Sequence, residues 1–336
     1  MKQIIALSYI LLCCLSLCNA QTSQSCSECV QQSKVWCPVT KTCEDSSTTC
    51  STSIKLVLNC PRSPDPAFAY NETFTRYYIT PLVAAVHANS PATCLKSQVP
   101  HASFYKSVRT QCAANQTDVH CFAYTAWDPV EQAVIISFEG TSSALQLGDE
   151  FDSFFKHKVA FFDNGYLFKY FSDAFMFLWN AGLEQQVRTL KYQYPDCKIY
   201  ITGHSLGASI ASIAASYIVK WNMWTAENVR LVTFGQPRTG DYDFATWHDA
   251  TFRYAYRIVH HNDPVPHIPP RWGPDRVFHH RFEVWYDNNM AVGQPYTICQ
   301  EADGDYCSNT VKDEAVLEHL QYFDKILHTW GAAGCP

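Results

Sequence analysis

The stretch from residue 198 to residue 215, KIYITGHSLGASIASIAA, carries the residues with the clearest chemical potential. It begins with the alternation of a strand, fits the pattern G-x-S-x-G from Gly203 to Gly207, and continues as a run of small residues that predicts a helix. A serine on so sharp a strand-to-helix turn presents its hydroxyl above the sheet, and the N–H of Leu206 at the helix start is free to stabilise an oxyanion. We therefore expect Ser205 to be a nucleophile; a structural turn serine is the alternative.

A serine hydroxyl is a weak nucleophile, so it needs a base within hydrogen-bonding reach and an acid that orients this base. On an α/β sheet with such a turn, the expected chain order is serine, then acid, then histidine. Asp263 follows an apolar strand at its carboxyl end, and His319 lies among apolar residues near a predicted helix start. Spacing alone leaves rivals for both roles, namely Asp275 and Asp287 as acid and His260, His261, His267, His279 and His280 as base.

The elements that must position these residues alternate between strands and helices from about residue 70 onward. Apolar runs predict strands at 133–138, 198–202, 229–234, 254–259 and 281–285. Helical patterns predict helices at 70–86, within 168–192, from 206 to about 221, and at 316–327. Strands that alternate with helices indicate the α/β class, with a central, mostly parallel sheet covered on both sides.

The first residues predict an exported chain. Residues 1–20 carry one positive charge, an apolar stretch and a small-residue end, which is typical of a signal peptide cleaved after Ala20. The apolar stretch is short for a membrane anchor, and no later stretch is apolar enough to predict a transmembrane segment. The net charge is −6 and no basic block occurs, so a nucleic-acid partner is not expected.

Residues 21–60 predict a small cysteine-rich module. They hold six cysteines among many serines and threonines. Few apolar residues are available for a core there, so disulfides would have to hold the module together. The run C-x2-C-x7-C-x5-C-x6-C resembles a plexin–semaphorin–integrin module, and the expected oxidising compartment argues against a zinc site. A linker is predicted at 61–74 and the main domain at 75–336.

Six segments of the main domain, in order, resemble the class 3, fungal-type triacylglycerol lipase family. They read ISFEGTSS, ITGHSLGAS, VTFGQPRTGD, VHHNDPVPHIPP, CSNT and EHLQYF. The resemblance implies an α/β-hydrolase fold in which Ser205 is the nucleophile, Asp263 the orienting acid and His319 the base. It also implies that the backbone N–H of Thr141 is a second oxyanion donor. The chain departs from the family pattern at Glu139, where the family usually has arginine, and at Asn164, where it usually has histidine.

The segment after Thr141 corresponds in this resemblance to a lid that opens at a lipid surface. Leu145, Leu147 and Phe151 are more apolar than a surface loop needs, and Gly148 is the expected hinge. Lid opening would expose an apolar patch, which is costly in water and favourable on lipid. Plain core packing of these side chains is the alternative.

The remaining cysteines and two sequons predict covalent modifications. The predicted disulfide pairs are Cys299 with Cys307, Cys94 with Cys335, and Cys112 with Cys121. Cys197 is the candidate free thiol, because it precedes the strand that leads to the serine. Asn71 and Asn115 each begin an N-glycosylation sequon.

The sequence therefore predicts a secreted serine hydrolase that cleaves carboxylic esters of lipids through an acyl-enzyme. Triacylglycerol or related glycerol esters are the expected substrates, and a transient contact with a lipid–water interface is expected. The chemistry requires no metal and no cofactor. The alternatives are a phospholipase, a soluble or feruloyl-type esterase, and a non-catalytic lipid-binding protein on the same fold.

Overall fold

The computed structural model describes residues 24–47, 50–113, 116–140, 154–271, 276–313 and 315–336. Several sequence predictions lie outside these ranges: the signal peptide, Thr141, the lid residues Leu145, Leu147, Gly148 and Phe151, the sequon residue Asn115 and the rival acid Asp275. The chain forms two compact units, Met1–Val57 and Leu58–Pro336.

The first unit is small and is held largely by disulfides. Helix α1 is Cys26–Gln31, and strands β1 (Val35–Cys37) and β2 (Thr42–Glu44) pair antiparallel. The disulfides join Cys29 to Cys43 and Cys37 to Cys50. Its buried apolar side chains are few, as expected for a module in which cross-links replace a large core.

Among the described residues, the second unit has fourteen strands, and eight of them form its central sheet. Its strands are β3 (Ser103–Ala113), β4 (Gln116–Asp128), β5 (Ala133–Phe138), β6 (Lys158–Ala160), β7 (Tyr166–Phe168), β8 (Lys198–His204), β9 (Val229–Phe234), β10 (Gly240–Asp241), β11 (Ala255–His260), β12 (Val277–Phe278), β13 (Glu283–Tyr286), β14 (Thr297–Cys299), β15 (Gln321–Tyr322) and β16 (Lys325–Ile326). Among the described strands, eight form one sheet in the order β14-β13-β11-β9-β8-β5-β4-β3. The five neighbouring strands β5, β8, β9, β11 and β13 run parallel. Strands β3 and β4 extend the sheet antiparallel at one side, and β14 does so at the other.

Helices cover both faces of this sheet. They are α2 (Glu72–Phe74), α3 (Thr80–Ala84), α4 (Pro91–Gln98), α5 (Lys169–Leu178), α6 (Glu184–Gln193), α7 (Leu206–Lys220), α8 (Tyr242–Thr251), α9 (Val316–Leu320) and α10 (Leu327–Ala332). Shorter 3-10 turns are Val57–Asn59, Pro66–Phe68, Ala85–His87, Ala226–Asn228, Val265–His267 and Ser308–Thr310, and π-helical turns are Thr75–Ile79 and Trp179–Leu183.

The core lies in two layers, one on each face of the sheet. In β8, Ile199 and Ile201 join the layer that contains α5 and α7, whereas Tyr200 joins the layer that contains α3. Strands buried on both faces explain why their sequences are continuously apolar. The predicted α/β class and the predicted covered sheet are confirmed.

The structure corrects two of the predicted helices. The prediction of one helix over 316–327 is wrong, because α9 ends at Leu320 and a hairpin of β15 and β16 follows, with positive φ at Phe323 and Asp324. The amphipathic stretch within 168–192 is two helices, α5 and α6. They are separated by a π-helical turn in which Gly182 has a φ of 127°.

The second unit also contains disulfides and one free thiol. The structure joins Cys94 to Cys335, Cys112 to Cys121 and Cys299 to Cys307. Cys197 is free and buried. Glu283 lies close to the two sulfurs of Cys299 and Cys307, but their bond to each other leaves no thiolate to bind a metal ion. Across the described ranges, no helix has the length and apolarity needed to cross a membrane.

Candidate active site

The serine turn is built by close packing of glycine backbones. Ser205 joins β8 to α7 with a φ of 58° and a ψ of −126°, a strained conformation for a residue with a side chain. A Cβ on Gly203 would lie 2.3 Å from the carbonyl oxygen of Gly207, and a Cβ on Gly207 would lie 2.4 Å from that of Phe138. Larger residues at either position would push the helix away from the strand, so the turn needs both glycines.

Backbone donors lie next to the serine. Leu206 is the first residue of α7, so its N–H has no acceptor within the helix. The positive end of the helix dipole lies at the same place, which favours a negative charge beside Ser205. The end of β5 reaches this turn as well, since a Cβ on Gly140 would lie 3.3 Å from the Cβ of Ser205. Thr141 follows Gly140 directly and is not among the described residues.

Asp263 is a fully buried carboxylate in the turn after β11. Its Oδ1 accepts a hydrogen bond from the backbone N–H of Val265 (2.9 Å). Its Oδ2 accepts from His319 Nδ1 (2.9 Å) and from the hydroxyl of Tyr322 (2.6 Å). Burial by itself would raise the pKa of Asp263, but the charge of His319 and these hydrogen bonds outweigh it and hold the pKa below its usual range.

His319 is the partner of that carboxylate and is itself fully buried, on α9. Its Nδ1 points to Asp263, which leaves Nε2 as the nitrogen that is free to exchange a proton. Within the described ranges, His319 Nε2 and Ser205 Oγ are both buried without a hydrogen-bond partner. Nucleophilic catalysis requires a base aligned by an acid and a serine hydroxyl within reach of that base.

The neighbour of the serine connects the turn to the histidine. His204 Nε2 donates to the backbone carbonyl of His319 (2.7 Å), and the two rings lie 4.4 Å apart. Burial and the nearby charge of His319 hold the pKa of His204 well below its usual range, so His204 remains neutral. The contact brings the chain segment of Ser205 and that of His319 together although 114 positions separate the two residues.

The structure places the rival acid and bases elsewhere. Asp287 is exposed and pairs with His261. The remaining candidate histidines have the following partners: His260 with Glu318, His267 with Asn309, His279 with the carbonyl of Pro266, and His280 with the carbonyl of Arg281. Among the described candidates, Asp263 and His319 are the pair that lies next to the serine turn.

Sequence reasoning missed two residues that shape the site. A Cβ on Gly235, where φ is 54°, would lie 2.8 Å from both Asp263 Oδ2 and His319 Nδ1. Any side chain there would displace the acid–base pair. Tyr322 lies in the segment EHLQYF, but its role depends on the hairpin after α9, which the helical interpretation of that stretch concealed.

The fold is that of an α/β-hydrolase. The sequence pattern of the family described as lipase (class 3) matches residues 135–273. The chain is 29% identical over 302 residues to the lipase ZK262.3 of Caenorhabditis elegans, and the matched region covers 79% of this chain and 83% of that protein. It is 30% identical over 154 residues to the secreted mono- and diacylglycerol lipase 1 of Fusarium solani, covering 44% of this chain and 43% of that one.

A solved structure agrees with these relatives. The Rhizomucor miehei triacylglyceride lipase superposes with a TM-score of 0.64 at 25% identity, covering 76% of this chain and 96% of that chain. Residues 135–273 therefore carry the class 3 lipase pattern, and the chain is similar to lipases over most of its length. It is a carboxylic ester hydrolase, and the predicted fold is confirmed.

Proposed function

We propose that the protein is a secreted lipase that hydrolyses glycerol esters of fatty acids through a covalent acyl-enzyme formed on Ser205. The observation that carries the proposal is the buried Asp263–His319 pair, whose histidine ring lies 4.4 Å from the ring of His204, the residue before a serine on a strained turn. A protein that only binds lipid has no need for an aligned acid, base and nucleophile.

In the proposed mechanism, His319 Nε2 takes the proton of Ser205 as the hydroxyl oxygen attacks the ester carbonyl carbon. Asp263 accepts a hydrogen bond from Nδ1 and stabilises the imidazolium that forms. The N–H groups of Leu206 and Thr141 hold the oxyanion. His319 then gives the proton to the leaving alcohol, and a water molecule repeats the sequence to release the fatty acid.

The substrate class follows from the family and from the two named relatives. The Rhizomucor protein is described as a triacylglyceride lipase and the Fusarium protein as a mono- and diacylglycerol lipase. We infer a glycerol ester as substrate, with triacylglycerol as the first candidate. A phospholipase or a feruloyl-type esterase would use the same three residues with a different acyl pocket.

Secretion and glycosylation belong to the same proposal. Disulfides in both units require an oxidising compartment, which supports export. Asn71 is exposed, and its Oδ1 caps α2 by accepting from the N–H of Phe74 (2.9 Å). This cap uses Oδ1, so Nδ2, the atom that would carry a glycan, takes no part in that hydrogen bond.

The test is hydrolysis of tributyrin and triolein below and above the concentration at which each forms an interface, with Ser205→Ala beside the parent. We expect parent activity on both esters, a sharp rise once an interface forms, and a loss of about 10⁴-fold or more in Ser205→Ala.

The matched control is Ser209→Ala, one turn further along α7, whose Oγ accepts from Thr239 and is not part of the site. Parent activity confined to dissolved short esters would indicate an esterase. Equal activity of the parent and Ser205→Ala would reject the proposed nucleophile.

A further inference from the structure

The end of β5 lies directly against the serine turn. A Cβ on Gly207 would approach the carbonyl oxygen of Glu139 to 2.9 Å, and a Cβ on Gly140 would approach that of His204 to 2.7 Å. The backbone at 139 and 140 therefore fixes the distance between the Ser205 turn and the chain that continues to Thr141. A shift of β5 at this point would change that distance.

The side chain of Glu139 meets two basic side chains from other elements. Its Oε2 lies 3.6 Å from Arg109 Nη1 on β3, and its Oε1 lies 3.7 Å from His87 Nδ1. Only 14% of the Glu139 side chain and 6% of the His87 side chain are exposed. The Arg109 side chain is 54% exposed, so the ion pair lies at the edge of the solvent and water partly screens it.

Arg109 and Glu139 both contact Phe122 on strand β4. The backbone N–H of Glu139 donates to the carbonyl of Phe122 (2.9 Å), and the guanidinium of Arg109 lies over the Phe122 ring at 4.7 Å. The ion pair, the ring contact and the backbone hydrogen bond thus connect β3, β4 and Glu139. These contacts hold the end of β5 against β4.

His87 is held in place from the other side by the C-terminal helix. The ring of His328 on α10 lies 4.9 Å from the ring of His87. A Cβ on Gly331 would lie 2.0 Å from the carbonyl oxygen of Ala84, so α10 packs closely on the segment that carries His87. Glu139 therefore lies near a histidine, His87, whose segment is held in position by α10.

The charge of Glu139 makes this compensation necessary. A carboxylate two residues before an oxyanion donor would oppose the negative charge that develops in the transition state. The guanidinium of Arg109 at 3.6 Å offsets part of that field. An unpaired Glu139 would thus harm both the position and the electrostatics of the oxyanion site.

We propose that Glu139 is a positioning residue for the ester hydrolysis: its ion pair with Arg109, supported by His87, holds the end of β5 where the oxyanion donors need it. The inference rests on the proposed function. It concerns a contact that is particular to this chain, since the family usually has arginine where this chain has Glu139.

The experiment compares the parent with Glu139→Arg, Arg109→Glu and the double variant that exchanges the two charges. We expect each single variant to lower kcat on a dissolved short ester by about tenfold, less than the roughly 10²-fold that a misplacement of about 1 Å can cost, with KM changed by about twofold at most. The exchanged pair should recover most of kcat. The rate at which a phosphonate labels Ser205 should follow kcat, because the phosphonyl oxygen lies where the oxyanion forms.

The matched control is Lys106→Glu, the same charge reversal on β3 at a side chain that lies over the ring of Tyr105. It should keep the kcat of the parent. Parent-like kcat in both single variants, or no recovery in the exchanged pair, would overturn the inference. The inference would also be overturned if the loss of rate disappears once the rate is divided by the concentration of titrated active sites. The substitutions would then affect folding alone. If the parent itself is not labelled, the proposed function fails, and this outcome is distinct from the others.

Discussion

At the scale of single residues, the site depends on how Asp263 is held. One of its oxygens accepts from both His319 and Tyr322, while the other accepts from a backbone N–H. Burial and the charge of Asp263 raise the pKa of Tyr322 well above its usual range, so this phenol stays protonated and acts only as a donor. Tyr322 therefore helps to fix the same carboxylate oxygen that accepts from the histidine.

Tyr322→Phe should move the acid limb of the kcat/KM profile to higher pH. The hydroxyl lowers the pKa of Asp263, so its loss leaves a more basic carboxylate that holds a proton on the Asp263–His319 pair more tightly. We expect kcat at neutral pH to fall by roughly three- to tenfold, because a hydrogen bond to a charged group is worth about 1.5–3 kcal/mol and only part of it acts on the transition state.

The control for this change is Tyr256→Phe, whose hydroxyl donates to the carbonyl of Phe68 away from the site. Its pH profile should match that of the parent. An acid limb that stays fixed in Tyr322→Phe would mean that the phenol does not influence the pair.

Local patterns decided how much of the site the sequence revealed. The turn around Ser205 was predictable because its strand, glycines and helix are contiguous and each has a steric reason. The choice of His319 among several histidines required the family resemblance, since partners distant in sequence define it. Gly235 and Tyr322 were missed because their roles exist only once three separate segments meet.

At the scale of elements, the loop that carries Asp263 is fixed by a buried arginine. Arg238 Nη1 donates to the carbonyls of His267 (2.5 Å) and Pro269 (2.9 Å), and its Nη2 donates to Asp303 (2.7 Å). Burial would raise the pKa of Asp303, but the charge and hydrogen bonds of Arg238 hold it well below its usual range. The pair replaces backbone hydrogen bonds that a proline-rich loop cannot make for itself.

Asp303→Asn should destabilise the protein by about 3–5 kcal/mol, because it leaves a buried guanidinium without its charge partner. Chemical unfolding at pH 7.5 measures this loss. Asp287→Asn is the matched control, since Asp287 pairs with His261 at the surface and should cost less than about 1 kcal/mol. Similar losses in the two variants would contradict the assigned role of the Arg238–Asp303 pair.

The elements themselves were predictable to different degrees. Strand β5 is an almost wholly apolar run and β9 a largely apolar one, and the structure has both at the predicted bounds. The hairpin of β15 and β16 was hidden, because EHLQYF has an apolar spacing that also fits a helix. Tertiary contacts of Tyr322 decide between the two conformations there.

At the scale of the whole molecule, buried neutral histidines should set the response to acid. Burial, with the nearby charge of Arg257, lowers the pKa of His280 to about 3 and holds that of His279 well below its usual range. Burial and the adjacent His280 do the same for His248, whose ring stacks on that of His280 at 3.9 Å. In the unfolded chain these groups take up protons near pH 6.5.

The free energy of unfolding should therefore fall as the pH drops below about 6.5, because the unfolded chain then binds more protons than the folded one. Each such histidine contributes up to about 1.4 kcal/mol per pH unit until the pH reaches its folded pKa. Denaturant titrations between pH 8 and pH 4.5 measure the slope. A matched comparison is His280→Gln, which should be less stable at pH 8 but should lose less stability on acidification. Constant stability between pH 7 and pH 5 would contradict this account.

The central claim is that Ser205 is the nucleophile and that His319, aligned by Asp263, activates it. The most direct test is to treat the folded protein with a long-chain alkyl phosphonate and to locate the adduct by peptide mass spectrometry. We expect one adduct, on Ser205, at a rate that falls by at least about 10³-fold in His319→Ala and stays unchanged in Ser209→Ala. An adduct on another residue, or equal labelling of the parent and His319→Ala, would contradict the account.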